Sequence, residues 1–155
     1  MIEYYVECNP DGVLLQHLKI SGKLITHCNG SGNIFNKLRK FKNRFALIDE
    51  DPKTIEHPYY SSLFLEHEAK GIKVYTDKTR GHRILVLCPR FEEWLIQTAK
   101  EKKIKLSDFS LPDNPQFLRS AINSRLKNLQ SLLTEIDKHR NSRLDELRRY
   151  LPTHD

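Results

Sequence analysis

The chain has no window of eighteen or so consecutive apolar residues, the length a membrane-crossing helix requires, so no membrane association is expected. Its opening residues, "MIEYYVECNP", lack the basic-then-apolar order of a secretion signal, which predicts cytoplasmic residence. Cysteine is scarce. Cys8, Cys28 and Cys88 are odd in number and far apart, which argues against a disulfide framework or a zinc knuckle and predicts three buried thiols. None of the seven histidines falls in an H-E-x-x-H arrangement; only His57, shortly after a group of acids, is a candidate for proton transfer. Internal repeats and low-complexity tracts are also missing. "NGSGN" (Asn29 to Asn33) lacks the lysine of a phosphate-binding loop and the full G-x-G-x-x-G spacing, so it reads as a tight turn, with a phosphate contact left open.

Positive charge is what the chain has in excess. Lysine and arginine number 26 against 20 acids, a net charge of +6, which favours polyanions and most obviously nucleic acid. At 155 residues the chain is long enough to bury a core without staples.

Along the chain, "IEYYVEC" reads as a strand, "NPDGVLLQHLKI" as a helix with Asn9 as cap, and "KLITHC" as a second strand. A helix then opens at "NGSGN", with Ile34, Phe35 and Leu38 on one face, and "RFALIDEDP" follows as a third strand. That β-α-β-α-β order predicts an α/β fold with a mostly parallel sheet flanked by helices, buried on both faces. Beyond Pro52, "KTIEHPYYSS" reads as a loop, "LFLEHEAKG" as a short helix stopped by Gly71, and "IKVYTDKTRGHRILVLC" as two strands around a polar turn. "PRFEEWLIQTAKEKK" reads as a helix in which Trp94 is a core anchor, and "SDFSLPDNP" as a loop. From Gln116 the chain reads as helical, with a break at Asn141-Ser142. These features divide it into a domain over 1–112 and a C-terminal helical extension over 113–155, which packs on the domain or on a partner.

Sites in such sheets form at the carboxyl ends of strands, where Glu7, Asp49 and Asp51 fall, with Asp11 shortly after the first strand. Carboxylates brought within a few ångströms repel unless a cation lies among them, and an all-oxygen set suits Mg²⁺ or Mn²⁺. Acids in these places also serve as ordinary helix caps. Glu92 sits in the first turn of its helix, where the dipole favours a carboxylate. The run "KLRKFKNR" (Lys37 to Arg44) lies toward the opposite, amino-terminal edge of the third strand; Lys53 and Arg80 are the candidates for contacts with a phosphate backbone.

"VECNPD" and "LIDEDP" together resemble the two acidic signatures of the Toprim domain, a glutamate closing the first strand and a D-x-D closing a later one. Cys8 stands where that family usually has glycine, and Pro52 follows the second aspartate. With the later "PRFEEWLI", the pattern is similar to small RloB-like proteins and relatives of OLD nucleases from bacterial defence loci, and covers roughly residues 2–96. The resemblance implies a Toprim-like, Rossmann-like fold and a Mg²⁺-dependent (or Mn²⁺-dependent) nuclease. It implies metal ligands in Glu7, Asp49 and Asp51, supported by Asp11 and Glu92, with Glu7 also able to move a proton. It further implies nucleic acid (DNA or RNA) as substrate, an ATPase partner and a role in antiviral defence. A non-catalytic subunit that keeps the fold to dock an ATPase is the alternative, and homo-oligomerisation is left open.

Overall fold

Residues 2–152 are described by the structure, a computed structural model. Six strands form one sheet: β1 (Glu3–Val6), β2 (Ile25–His27), β3 (Arg44–Asp49), β4 (Phe64–Ala69), β5 (Ile72–Asp77) and β6 (His82–Leu87), in the spatial order β2-β1-β3-β6-β5-β4. The first four in that order run parallel, while β5 and β4 complete the sheet antiparallel. The helices are α1 (Asn9–His17), α2 (Ser31–Lys40), α3 (Pro52–Glu56), α4 (Pro58–Ser61), α5 (Phe91–Glu101), α6 (Pro115–Ala121), α7 (Leu126–Ile136) and α8 (Arg143–Arg148). This is the expected α/β, Rossmann-like arrangement. Among the described residues, no helix is long and apolar enough to cross a membrane.

The period-two alternation of the strands divides the core between the two faces. Tyr4, Val6, Phe45, Leu47, Leu85 and Leu87 point to one face, where α1, α5 and the helices after residue 114 cover them. Tyr5, Ala46, Ile48, Ile84 and Val86 point to the other, under Ile34, Phe35 and Leu38 of α2 and Tyr59 of α4. Two buried faces explain why "FALI" is an unbroken apolar run. Trp94 is fully buried, and its indole N–H donates to the Lys70 carbonyl at 3.3 Å. Leu118, Leu129, Leu133, Ile136, Leu144 and Leu147 join the first core, so the C-terminal extension packs on the sheet domain.

Three expectations are corrected. Residues 64–69 form strand β4 instead of a helix, because Lys70 and Gly71, both at positive φ (53° and 73°), turn the chain back onto β5. The stretch after Asp51 is not a loop. It holds α3 and α4, each with proline in the first turn and a side-chain cap, from Asp51 and His57 respectively. The three thiols are not all buried: Cys28 is, Cys88 is partly covered, and Cys8 is exposed where it leaves the sheet to cap α1. Smaller differences are a short helical turn over Leu106–Phe109 and an interruption at Arg125 between α6 and α7.

Candidate active site

Parallel pairing of β1, β3 and β6 brings their carboxyl ends to one edge of the sheet. Glu7 follows β1, Asp49 ends β3, and the chain leaving β6 passes a cis Cys88–Pro89 peptide to start α5 at Phe91. Val6 is in register with Leu47, so the Glu7 side chain reaches across, and its Oε2 accepts the Asp49 backbone N–H at 3.1 Å. Asp49 Oδ1 in turn accepts the Phe91 N–H at 3.0 Å, which ties the strand end to the start of α5. One residue further along α5, Glu92 Oε1 accepts from Arg119 Nε at 2.7 Å, and Glu93 lies 3.7 Å from the same guanidinium.

Glu7, Asp49, Asp51 and Glu92 all line a cavity of about 460 Å³, together with Arg90 and Arg119. Asn29 and Gly30 form another part of the wall. Gly30, at φ 125°, is the N-cap of α2, a backbone conformation that a side chain would strain. Helices α1, α2 and α5 all begin at this edge, so their positive dipole ends favour negative charge there.

Asp11 is placed differently from the others. It is 2% exposed and absent from the cavity wall. Its Oδ2 accepts the Cys8 N–H at 3.2 Å and the Cys8 thiol at 3.4 Å, a capping arrangement for α1. It therefore acts on the cavity by charge from behind the wall. Asp51 faces the cavity, yet its Oδ1 also accepts the Thr54 N–H at 2.9 Å and caps α3. Acids at strand ends thus do here the ordinary capping work expected of them, alongside any chemistry.

The electrostatics show a site with too little positive charge. Burial, the charge of Asp11 and that of Asp51 push Glu7 up to about 7, against backbone hydrogen bonds from Asp49 and Ser31 that favour its ionised form. Burial raises Asp49 well above the usual carboxylate range, and the charges of Asp11, Glu7 and Glu92 add to it. Burial also raises Asp11, partly offset by its bonds from Cys8. Clustered oxygen donors short of a counter-charge fit a hard divalent cation. Among the described residues, however, no group of three or more His, Cys, Asp or Glu side chains is already gathered as a metal-holding set. The carboxylates instead face backbone N–H groups and Arg119.

Two sequence candidates lie away from the cavity. Lys53 is exposed on α3 and is not part of the wall. Arg80 sits at the opposite edge of the sheet, in the turn before β6, where its Nη1 donates to Asp77 at 3.1 Å and its Nε to the Arg39 carbonyl at 3.2 Å. His57 is likewise occupied: its Nδ1 accepts the Tyr59 N–H at 3.1 Å, and its ring packs 4.8 Å from Phe35. The cations that do reach the cavity are Arg90 and Arg119. Arg90 was legible in principle, as the residue between a strand end and an acidic helix start. Nothing local marks Arg119, which α6 delivers from outside the acidic motifs.

No protein-family model, curated protein or solved structure matches the chain.

Proposed function

We propose that this chain is a Toprim-like, Mg²⁺- or Mn²⁺-dependent nuclease that hydrolyses phosphodiester bonds in the cavity at the carboxyl edge of its sheet. The observation that carries this reading is the bond from Asp49 N–H to Glu7 Oε2 at 3.1 Å, which joins the two acidic motifs at one cavity. Glu7, Asp49 and Asp51 would hold the metal, with Glu92 at the rim and Asp11 contributing charge from behind. When bound, the metal supplies polarisation of a phosphoryl oxygen and activation of water.

The chain's own groups support such a reaction. Glu7, in the cavity wall, offers a carboxylate that can take or return a proton. Arg119 and Arg90 offset phosphate charge, and the start of α2 at Gly30 offers backbone N–H groups to an anion. Incubating the protein with plasmid, single-stranded DNA and tRNA in Mg²⁺ or Mn²⁺ tests the reading. Cleavage should occur, and Asp49→Ala should abolish it without loss of the folded state. Equal cleavage by parent and variant sinks the proposal.

A second reading is supported by the capping roles of Asp11 and Asp51 and by the Glu92–Arg119 pair: a Toprim-like subunit that docks an ATPase and does no chemistry. The ATPase partner and the defence role rest on the sequence resemblance alone. A rise in Tm with Mg²⁺ that Asp49→Ala removes favours the nuclease, because a ligand of the native state stabilises it. No rise, together with tight binding of an ATPase, favours the docking subunit.

A further inference from the structure

The amino-terminal edge of the sheet collects positive charge from three separate parts of the chain. The last turn of α2 supplies Lys37, Arg39 and Lys40, the connection to β3 supplies Lys42, and the β5–β6 turn supplies Lys78. Among the described residues, none of these five makes an ion pair with an acid, whereas Arg44, Arg80 and Arg83 at the same edge pair with Glu3, Asp77 and Glu66. Helix-dipole compensation accounts for the cations on α2. It does not account for Lys42 or Lys78, which lie off the helix; Lys78 Nζ sits 4.1 Å from the centroid of the Phe64 ring, a contact that leaves its charge without a counter-charge.

The platform beneath them is fastened. Asn43 N–H donates to the Arg80 carbonyl at 2.9 Å, Arg80 Nε to the Arg39 carbonyl at 3.2 Å, and Arg44 N–H to His82 Nδ1 at 3.0 Å. The other ring nitrogen of buried His82 lies 2.6 Å from the Leu38 carbonyl. Hydrogen bonds thus lock the end of α2, the start of β3 and the β5–β6 turn together, so the backbone segments that carry the cations are held in fixed relation.

We infer that this edge is a second contact surface for the phosphate backbone of a nucleic acid, separate from the acidic cavity. Six residues of β3 separate the two, about 17 Å at a strand's rise per residue. That spans about five base pairs of a duplex. The cavity itself concentrates acids, so attraction of a polyanion must come from elsewhere on the molecule, and this edge faces the same strands from their other end. The surface rests on the nuclease reading for its choice of ligand. It makes no base-reading contacts, so binding through it is sequence-independent and salt-dependent.

The test is binding of the full chain to a fluorescent 30-base-pair duplex, as DNA and as RNA, in EDTA across a salt series. Arg39→Gln, Lys40→Gln and Lys42→Gln combined change exposed side chains only. This triple variant should weaken binding roughly tenfold or more at physiological salt and flatten the log K against log salt slope by about 2 to 3. A control triple at exposed Lys100, Lys105 and Lys127, also to Gln, should change the slope little. Equal effects of the two triples, or no change in slope, overturn the surface; so does binding to phosphatidylserine vesicles without binding to either duplex. A lowered slope with no cleavage of any substrate in Mg²⁺ or Mn²⁺ leaves the surface standing and removes the nuclease reading instead.

Discussion

Asp49 is at once a strand end, the acceptor of the Phe91 N–H and a carboxylate held above its ordinary range by burial and by neighbouring acids. Its native pKa is raised, so between pH 4 and its native value the folded state binds a proton that the unfolded chain has released. Stability therefore falls as pH rises through that window, and Glu7 adds the same sign between 4.5 and about 7. In the absence of metal, Tm should drop on going from pH 5 to pH 8. Asp49→Asn keeps the acceptor for Phe91 and removes the charge, so it should flatten that drop and raise Tm at pH 8; an unchanged profile in thermal melts refutes this. Glu92 is 7% exposed and paired with one half-exposed arginine. Arg119→Ala leaves a nearly buried carboxylate without its partner and should cost about 1 kcal/mol in chemical denaturation, the solvent-exposed arginine limiting the loss.

At the scale of elements, α3 depends on its cap. Asp51→Ala should lower stability by about 1 kcal/mol, while Asp51→Asn, still able to accept the Thr54 N–H, should lose less in urea melts. The same Asp51-Pro52 pair shows why sequence reading found some elements and not others. The first three strands and their helices were legible because "EYYV" is rich in aromatic and β-branched residues, "FALI" is an unbroken apolar run, and Ile34, Phe35 and Leu38 fall at helical spacing. Two turns of helix after Asp51 were signalled by proline and a cap, yet are too short to show a period. Strand β4 was misread because Glu66, Glu68 and Lys70 suit a helix; pairing with β5, settled by the Lys70-Gly71 turn, outweighs that preference. In the site, the acids were legible as motifs. Arg119 was not, since only the packing of α6 beside α5 brings it to Glu92.

For the molecule as a whole, the boundary near residue 112 separates the sheet domain from the helical extension in the sequence and does not divide the core. Leu14 and Leu15 of α1 and Leu18 just after it share one apolar cluster with Leu129, Leu132 and Leu133 of α7. A chain stopped at Pro112 should lack cooperative unfolding and lose its near-ultraviolet circular dichroism, whereas Leu133→Ala in the full chain should cost about 2–5 kcal/mol and keep both. Charge is divided too: clustered acids gather at one edge of the sheet, and cations without an acidic partner at the other.

The wall that α6 contributes to the cavity also gives the molecule an order of completion. On the ribosome, all five acids emerge before Arg119, Ile122 and Asn123 do, and the leucines of α7 follow them. A nascent chain thus carries its acids and Arg90 while Arg119 is still untranslated, and the pocket wall is complete only once α6 has been made.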